Sequence, residues 1–232
     1  MKVLAFDTCF DGCSACIAEE RGGVVAELSF CFERFATGHA ERLVPMIGEV
    51  MDAARLEFAE LDRIAVTTGP GTFTGTRIGI AAARALSLVT GAATVGVSSL
   101  EAMALGVADQ VPSGVPLLVA VDARRDEVYA QGFAPGDMQA LGPPQVLSVE
   151  AAARALAADR FVVVGSGGKA VADAALAAGL DAECMLPNLL PDARAVARLA
   201  VNAPPSTEPL VPLYLRPPDA KPQTDKALAR VR

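Results

Sequence analysis

Histidine occurs once in this chain of 232 residues, at His39, and that scarcity excludes much of site chemistry. A single imidazole cannot build a zinc or iron centre without further ligands close by, and Glu41, two residues on, points elsewhere on a helix. A Ser-His-Asp or Cys-His arrangement would also have to use His39, and no nucleophile elbow accompanies it. A polar role at a helix start is the expectation. Long apolar runs are missing as well. Arg77, Arg84 and Glu101 interrupt the most apolar region, which never reaches the roughly 18 residues of a membrane span. The opening MKVLAFD meets Asp7 after a short run, so it reads as a first strand and not as a signal peptide, and a cytoplasmic protein with no membrane contact is expected. Cysteines are five, an odd number without the density of a secreted scaffold, which predicts free thiols. Cys9, Cys13 and Cys16 are close enough to suggest a metal site, but strand alternation would send neighbours to opposite faces and no second ligand cluster exists. Excess positive charge is also lacking. A net charge of −7 opposes unaided binding to a polyanion. The tail KPQTDKALARVR is the exception, since Lys221, Lys226, Arg230 and Arg232 outweigh Asp225. It reads as a disordered or partly helical terminus, with an RNA or partner contact as the lesser alternative.

What is present is a core: 52% of the residues are hydrophobic, enough for one well-buried domain or two small ones. Two passages repeat one pattern, VLAFDTCFDGCSACIA from Val3 and LVAVDARRDEVYAQGF from Leu118. Asp7 matches Asp122, Asp11 matches Asp126, and Ala5 and Ala15 match Ala120 and Ala130. Each passage reads as a buried strand, an acidic turn and a returning strand. Further on, IAVTTGPG from Ile64 is echoed by VVVGSGGK from Val162. The same order in both halves predicts a duplicated α/β fold. The first half reads as strands at 2–7, 13–19, 24–32, 63–68 and 93–97, with helices at 39–55, 75–90 and 99–107. The second reads as strands near 117–122, 127–134 and 161–165, with helices near 149–158, 168–179 and 192–202. DQVPSGVP marks a lobe boundary, and NAPPSTEPLVP a second linker leading to a strand-like PLYLR.

The stretch TTGPGTFTGTRIGIAAARALSL fails both standard phosphate-loop patterns. No lysine follows glycines at Walker spacing, and the third glycine of a dinucleotide fingerprint arrives one place late, at Gly75. A helix start after Gly69 and Gly71 leaves anion contact open as an alternative. In the helix, Gly75, Gly79 and Ala83 recur at i, i+4 and i+8, with Ala82, Leu86 and Val89 beside them, a face that lets another backbone come close. It suits packing on the chain's own sheet or against another molecule, and the second reading is preferred. Leu43, Met46, Ile47, Val50, Met51 and Ala54 form a matching stripe on the preceding helix, with Gly38 as its N-cap and Pro45 as a source of a kink. Asp7 and Asp122 stand at equivalent strand ends, where ligands meet open α/β sheets. With the turn glycines Gly165, Gly167 and Gly168 they are candidates for holding Mg-nucleotide, or for plain turn chemistry.

AFDT, GHAERLVPMI, TTGPGTFTGTRIGIAAARAL, VGVSSLEAMA, VDARRDEVYA and PLYLRPPDA together resemble the bacterial TsaB family, the tRNA threonylcarbamoyladenosine biosynthesis proteins once labelled glycoprotease-like. The resemblance spans both halves and the C-terminal motif. It implies two actin-like, ribonuclease-H-like lobes, each a mixed sheet with flanking helices: an N-terminal, partner-binding lobe of 1–107 joined by about 190–232, and a C-terminal lobe of 108–189. It also implies a non-catalytic subunit, with no catalytic residue, metal or cofactor of its own, that supports the catalytic paralogue TsaD. TsaD transfers threonylcarbamoyl to N6 of adenosine 37 in tRNAs reading codons that begin with A. The family pairs TsaB and TsaD through helices of the N-terminal lobe, lets TsaB form a homodimer when alone, adds the ATPase TsaE, and keeps ATP or ADP and metal on the partner subunits. Transfer RNA is met only through the complex. Carried onto this chain, the interface is His39, Leu43, Met46, Ile47 and Val50 on one helix and Gly75, Gly79, Ala82, Ala83 and Leu86 on the other. Leucine at Gly79 is then expected to fold while blocking assembly. TsaD holds its metal through a histidine pair, but here Leu43 follows His39, so one ligand is missing. The loop after Asp7 also lacks the Asp-x-Gly-Thr pattern of ATP-hydrolysing relatives. A stand-alone small-molecule kinase or ATPase of the same fold is the alternative.

Overall fold

The computed structural model describes residues 1–216, so the basic tail from Lys221 onward lies outside the described residues. The first half begins with three antiparallel strands, β1 (Lys2–Asp7), β2 (Gly12–Arg21) and β3 (Val24–Arg34). Helix α1 (His39–Ala54) leads to β4 (Arg63–Gly69), helix α2 (Phe73–Thr90) to β5 (Ala93–Ser98), and helix α3 (Ser99–Gly106) closes the series. β4 and β5 run parallel to β1, giving the order β3-β2-β1-β4-β5. The second half repeats the series with β6 (Leu117–Asp122), β7 (Glu127–Phe133), β8 (Gln145–Ser148), α4 (Val149–Ala152), β9 (Arg160–Val164), α5 (Gly168–Ala177), β10 (Asp181–Cys184) and α6 (Ala193–Asn202). Its order, β10-β9-β6-β7-β8, is the same arrangement with the same strand directions. Two mixed five-stranded sheets of this order, with helices on both faces, make the duplicated actin-like fold.

The central strand β1 is an unbroken apolar run because both its faces are covered. Leu4 and Phe6, with Cys13, Ala15 and Ile17 of β2, face α1 and α2. Val3 and Ala5, with Cys16 and Ala18, face α6 on the other side. The two-residue period thus separates Cys13 from Cys16, and among the described residues no group of three histidine, cysteine or carboxylate side chains could hold a metal. The terminal helices are exchanged between the halves. α6 packs its alanines on the first sheet, and α3 sends Leu100, Met103 and Ala104 into the core of the second. Arg63 fastens α6 by donating to the carbonyls of Val201 and Ala203, meeting oxygens that a helix end leaves unpaired.

Four elements differ from the sequence expectation. The helix near 149–158 is a single turn, because Ala153 onward forms turns that lead directly into β9. Edge strands β8 and β10, four residues each, carry too little alternation to stand out from loops. PLYLR forms no strand but the end of a strap: Leu210, two residues before it, packs on Gly96, and Leu213 N–H donates to the Thr68 carbonyl at 2.7 Å. From there Arg216 crosses to the second lobe, where its guanidinium donates to the Ala123 carbonyl and pairs with Glu127. No helix among the described residues is long and apolar enough to cross a membrane.

Candidate partner face and interlobe cleft

Helix α1 turns its apolar stripe inward. Leu43, Met46, Ile47, Val50 and Met51 are at most 2% exposed and pack on Leu4, Phe6 and Ile17. His39, at the helix start, places Nε2 2.8 Å from the Phe10 carbonyl oxygen and its ring edge-on to Phe35. Arg42 bridges Glu33 of β3 and Glu49, fixing the helix against the sheet. Its hydrogen bonds hold both carboxyls below the usual range. The helix continues through the exposed Pro45. Its outer face is Ala40, Val44 and Gly48, one turn apart; Val44 is 67% exposed. Gly48 has nothing within 4 Å of where a Cβ would stand.

Helix α2 lies on its own sheet, and its glycines serve that contact. A Cβ on Gly75 would stand 2.0 Å from the Thr8 carbonyl oxygen, and one on Gly79 would meet Thr8 Oγ1 at 2.7 Å and Val66 at 3.0 Å. Thr8 Oγ1 donates to the Gly75 carbonyl at 2.7 Å, locking the loop after β1 onto the helix. Thr72 caps the helix, its hydroxyl accepting from Gly75 N–H. Ala83 is buried, and Ala82 and Leu86 are half-buried against the same core.

The residues assigned to the interface from sequence are therefore corrected in orientation. His39, Leu43, Met46, Ile47, Val50, Gly75, Gly79 and Ala83 face the chain's own interior, and leucine at Gly79 would collide with β4. A stripe that follows the helical period is satisfied first by the nearest apolar surface, which here is the sheet. The exposed face of α2 is instead Ala81, Arg84, Ala85, Leu88 and Val89, with Leu88 87% and Val89 85% exposed. The signal overlooked in the sequence is the second, weaker stripe of small residues opposite the strong one.

Asp7 and Asp122 do not share a site. Asp7 is 1% exposed and accepts from Thr67 Oγ1 and from Cys9 N–H. Burial outweighs these hydrogen bonds and raises its carboxyl to about 6. The buried Cys9 thiol, bonded to Thr67, is pushed up by burial and by Asp7, which keeps it protonated. An unfolded aspartate titrates near 3.8, so between there and 6 the folded state holds a proton that the unfolded state has lost. Stability accordingly falls as pH rises through that window, by about 3 kcal/mol at most. Asp7→Asn keeps an oxygen for Thr67 and Cys9 and has no charge to bury. Urea titrations from pH 4 to 7.5 are expected to show the native chain losing stability relative to the variant. Parallel profiles would mean that Asp7 titrates as an exposed group.

Asp122 lines a cleft of about 470 Å³ between the lobes, together with Phe10, Phe73, Arg77, Arg124, Tyr129 and Tyr214. Gly165, Gly167 and Gly168 supply no open cradle beside it. Added Cβ atoms would meet the Ala120 carbonyl at 2.5 Å, Val128 at 2.6 Å and Cys184 at 3.0 Å. These glycines join β9 and α5 to the neighbouring strands, as Gly75 joins α2 to the loop after β1.

The sequence model of the family described as "TsaD: tRNA N6-adenosine threonylcarbamoyltransferase" matches residues 14–153. The chain is 31% identical over 230 residues to the tRNA threonylcarbamoyladenosine biosynthesis protein TsaB of Escherichia coli, covering 93% of this chain and 95% of that one. It is 38% identical to an uncharacterized protein of Mycobacterium tuberculosis over 220 residues, covering 95% and 94%. A solved structure from Pseudomonas aeruginosa, described as a protein with similarity to peptidase YEAZ, superposes with a TM-score of 0.76 at 28% identity, covering 93% of this chain and 99% of that one.

Proposed function

The chain belongs to the TsaB family of tRNA threonylcarbamoyladenosine biosynthesis proteins, and on that premise we propose that it is the non-catalytic, activating subunit of the complex that modifies adenosine 37. Its partner is the catalytic paralogue TsaD, met through the outer faces of α1 and α2. One observation carries this reading: small and apolar residues lie exposed on both α1 and α2, two helices that pack beside each other. Val44, Leu88 and Val89 are 67%, 87% and 85% exposed, and apolar exposure gathered on neighbouring helices marks interaction sites. Gly48 sharpens the point. Glycine inside a helix costs about 1 kcal/mol relative to alanine, and no contact within this chain explains it. Close approach of a helix from another molecule would.

The same face serves a homodimer when the partner is absent, and TsaE joins the assembled pair. Metal and ATP or ADP reside on those partners, and tRNA is engaged through the complex. A catalytic role finds little among this chain's own groups. His39 is committed to the Phe10 carbonyl, Leu43 stands buried one turn on, and the Cys9 thiol is buried and protonated.

Reconstitution tests the reading. Threonylcarbamoyl transfer to tRNA is measured with TsaD, TsaE, threonylcarbamoyl-adenylate and tRNA, with and without this chain. Modification is expected only when the chain is present, and none from the chain alone. Undiminished transfer in its absence would remove the activating role.

A further inference from the structure

The interlobe cleft gathers groups that the partner face does not use. Its walls include Phe10, Phe73 and both tyrosines of the chain, Tyr129 and Tyr214. Phe73 and Tyr214 stack with ring centres 5.8 Å apart, and the Arg77 guanidinium lies 3.7 Å over Phe73 while its Nε donates to the Tyr214 hydroxyl at 2.6 Å. Both rings remain about half exposed. The core therefore does not account for them. Neither Arg77 nor Arg124 forms an ion pair among the described residues, and both line the cleft.

The turn that carries Arg124 is strained. Arg124, Arg125 and Asp126 all have left-handed backbones, with φ of 63°, 58° and 58°, a conformation that residues with side chains avoid in succession. It is held from outside: Asp122 Oδ1 accepts the Arg124 N–H at 2.7 Å, and Arg216 grips the Ala123 carbonyl at 2.9 Å. Strain maintained in this way, at the lip of a cleft, marks a site where position matters.

We infer that this cleft takes one unstacked residue of a single-stranded RNA, its base against the Phe73–Tyr214 pair and its phosphate at Arg124. The inference rests on the proposed role insofar as RNA is what the complex modifies. Exposed aromatic faces beside arginines are how single strands are held without an enclosed pocket. Asp122 faces the same space, and its carboxylate would accept from the N–H or hydroxyl donors that a nucleoside offers. A free nucleotide fits less well, because the turn glycines that would cradle its phosphates are filled by the chain's own atoms.

The test uses the whole chain and a fluorescein-labelled, mixed-sequence single-stranded oligoribonucleotide, with AMP and a duplex of the same length as competitors. Phe73→Leu keeps an apolar residue without a π face; Arg124→Asn removes the charge and tolerates a left-handed backbone. Each is expected to weaken binding by about five-fold or more, and only Arg124→Asn should flatten the salt dependence. In the reconstituted transfer assay both should raise KM for tRNA while assembly with TsaD is unchanged. The inference is overturned if the oligoribonucleotide does not bind, if both variants bind like the parent, or if AMP or duplex competes as well as single strand. If transfer requires the chain yet neither variant alters KM, the cleft assignment fails and the activating role stands. If transfer ignores the chain while the cleft still binds single strands, the reverse holds.

Discussion

Gly75→Ala, a change of one methyl group, is expected to destabilise the first lobe by about 3 kcal/mol or more. Propensity alone argues the other way, because alanine in a helix interior is favoured over glycine by about 1 kcal/mol. Sterics decide the sign. The new Cβ would stand 2.0 Å from the Thr8 carbonyl oxygen and 2.7 Å from Thr72 Oγ1. The first of these is backbone, held in the loop between β1 and β2, so it cannot swing aside as a side-chain end would. Moving α2 outward instead would break the Thr8 Oγ1 bond to the Gly75 carbonyl and lift Ile80 and Ala83 off the core. Urea denaturation followed by circular dichroism measures the loss. A variant as stable as the parent would show that α2 does not lie on the Thr8 loop.

Gly48→Leu should behave in the opposite manner. Nothing within this chain approaches the added side chain, so the melting temperature should hold or rise, by the stability equivalent of up to about 1 kcal/mol. Affinity for TsaD should nevertheless fall by about a hundred-fold, the consequence of pushing apart two closely packed helices at a cost of a few kcal/mol. Calorimetric titration of TsaD with each protein reads the effect. Retained affinity, with folding intact, would place the docking surface away from α1 and α2. The two glycines thus separate what holds the chain together from what it offers to a partner.

Much of this architecture is legible in the sequence. Short unbroken apolar runs such as VLAF and ACIA, each next to an acidic turn, mark buried strands, and the recurrence of the Asp7 passage at Asp122 marks the duplication. The inner stripe of α1 is equally clear in Leu43, Met46, Ile47, Val50 and Met51. Such patterns are local: burial of a repeating face writes itself into neighbouring residues. Edge strands β8 and β10 were not legible, since four residues half in solvent have little to alternate. Nor was the strap, whose path follows from Leu210 meeting Gly96 and Leu213 meeting Thr68.

The candidate site divides along the same line. Gly75 and Gly79 announce close approach, but a missing Cβ does not say what approaches; in the fold it is Thr8 and Val66. Asp7 and Asp122 look equivalent as text, yet one is buried under Thr67 and the other opens onto the cleft. By itself the sequence determined the two lobes, the family, and the lack of a second histidine beside His39, because periodicity, repetition and residue identity are properties of a string. Tertiary structure alone decided which helix faces turn outward and that Phe10, Phe73, Arg124 and Tyr214 meet in one cleft. Packing assigns each face to its nearest apolar surface, and only the folded chain shows which faces are left over.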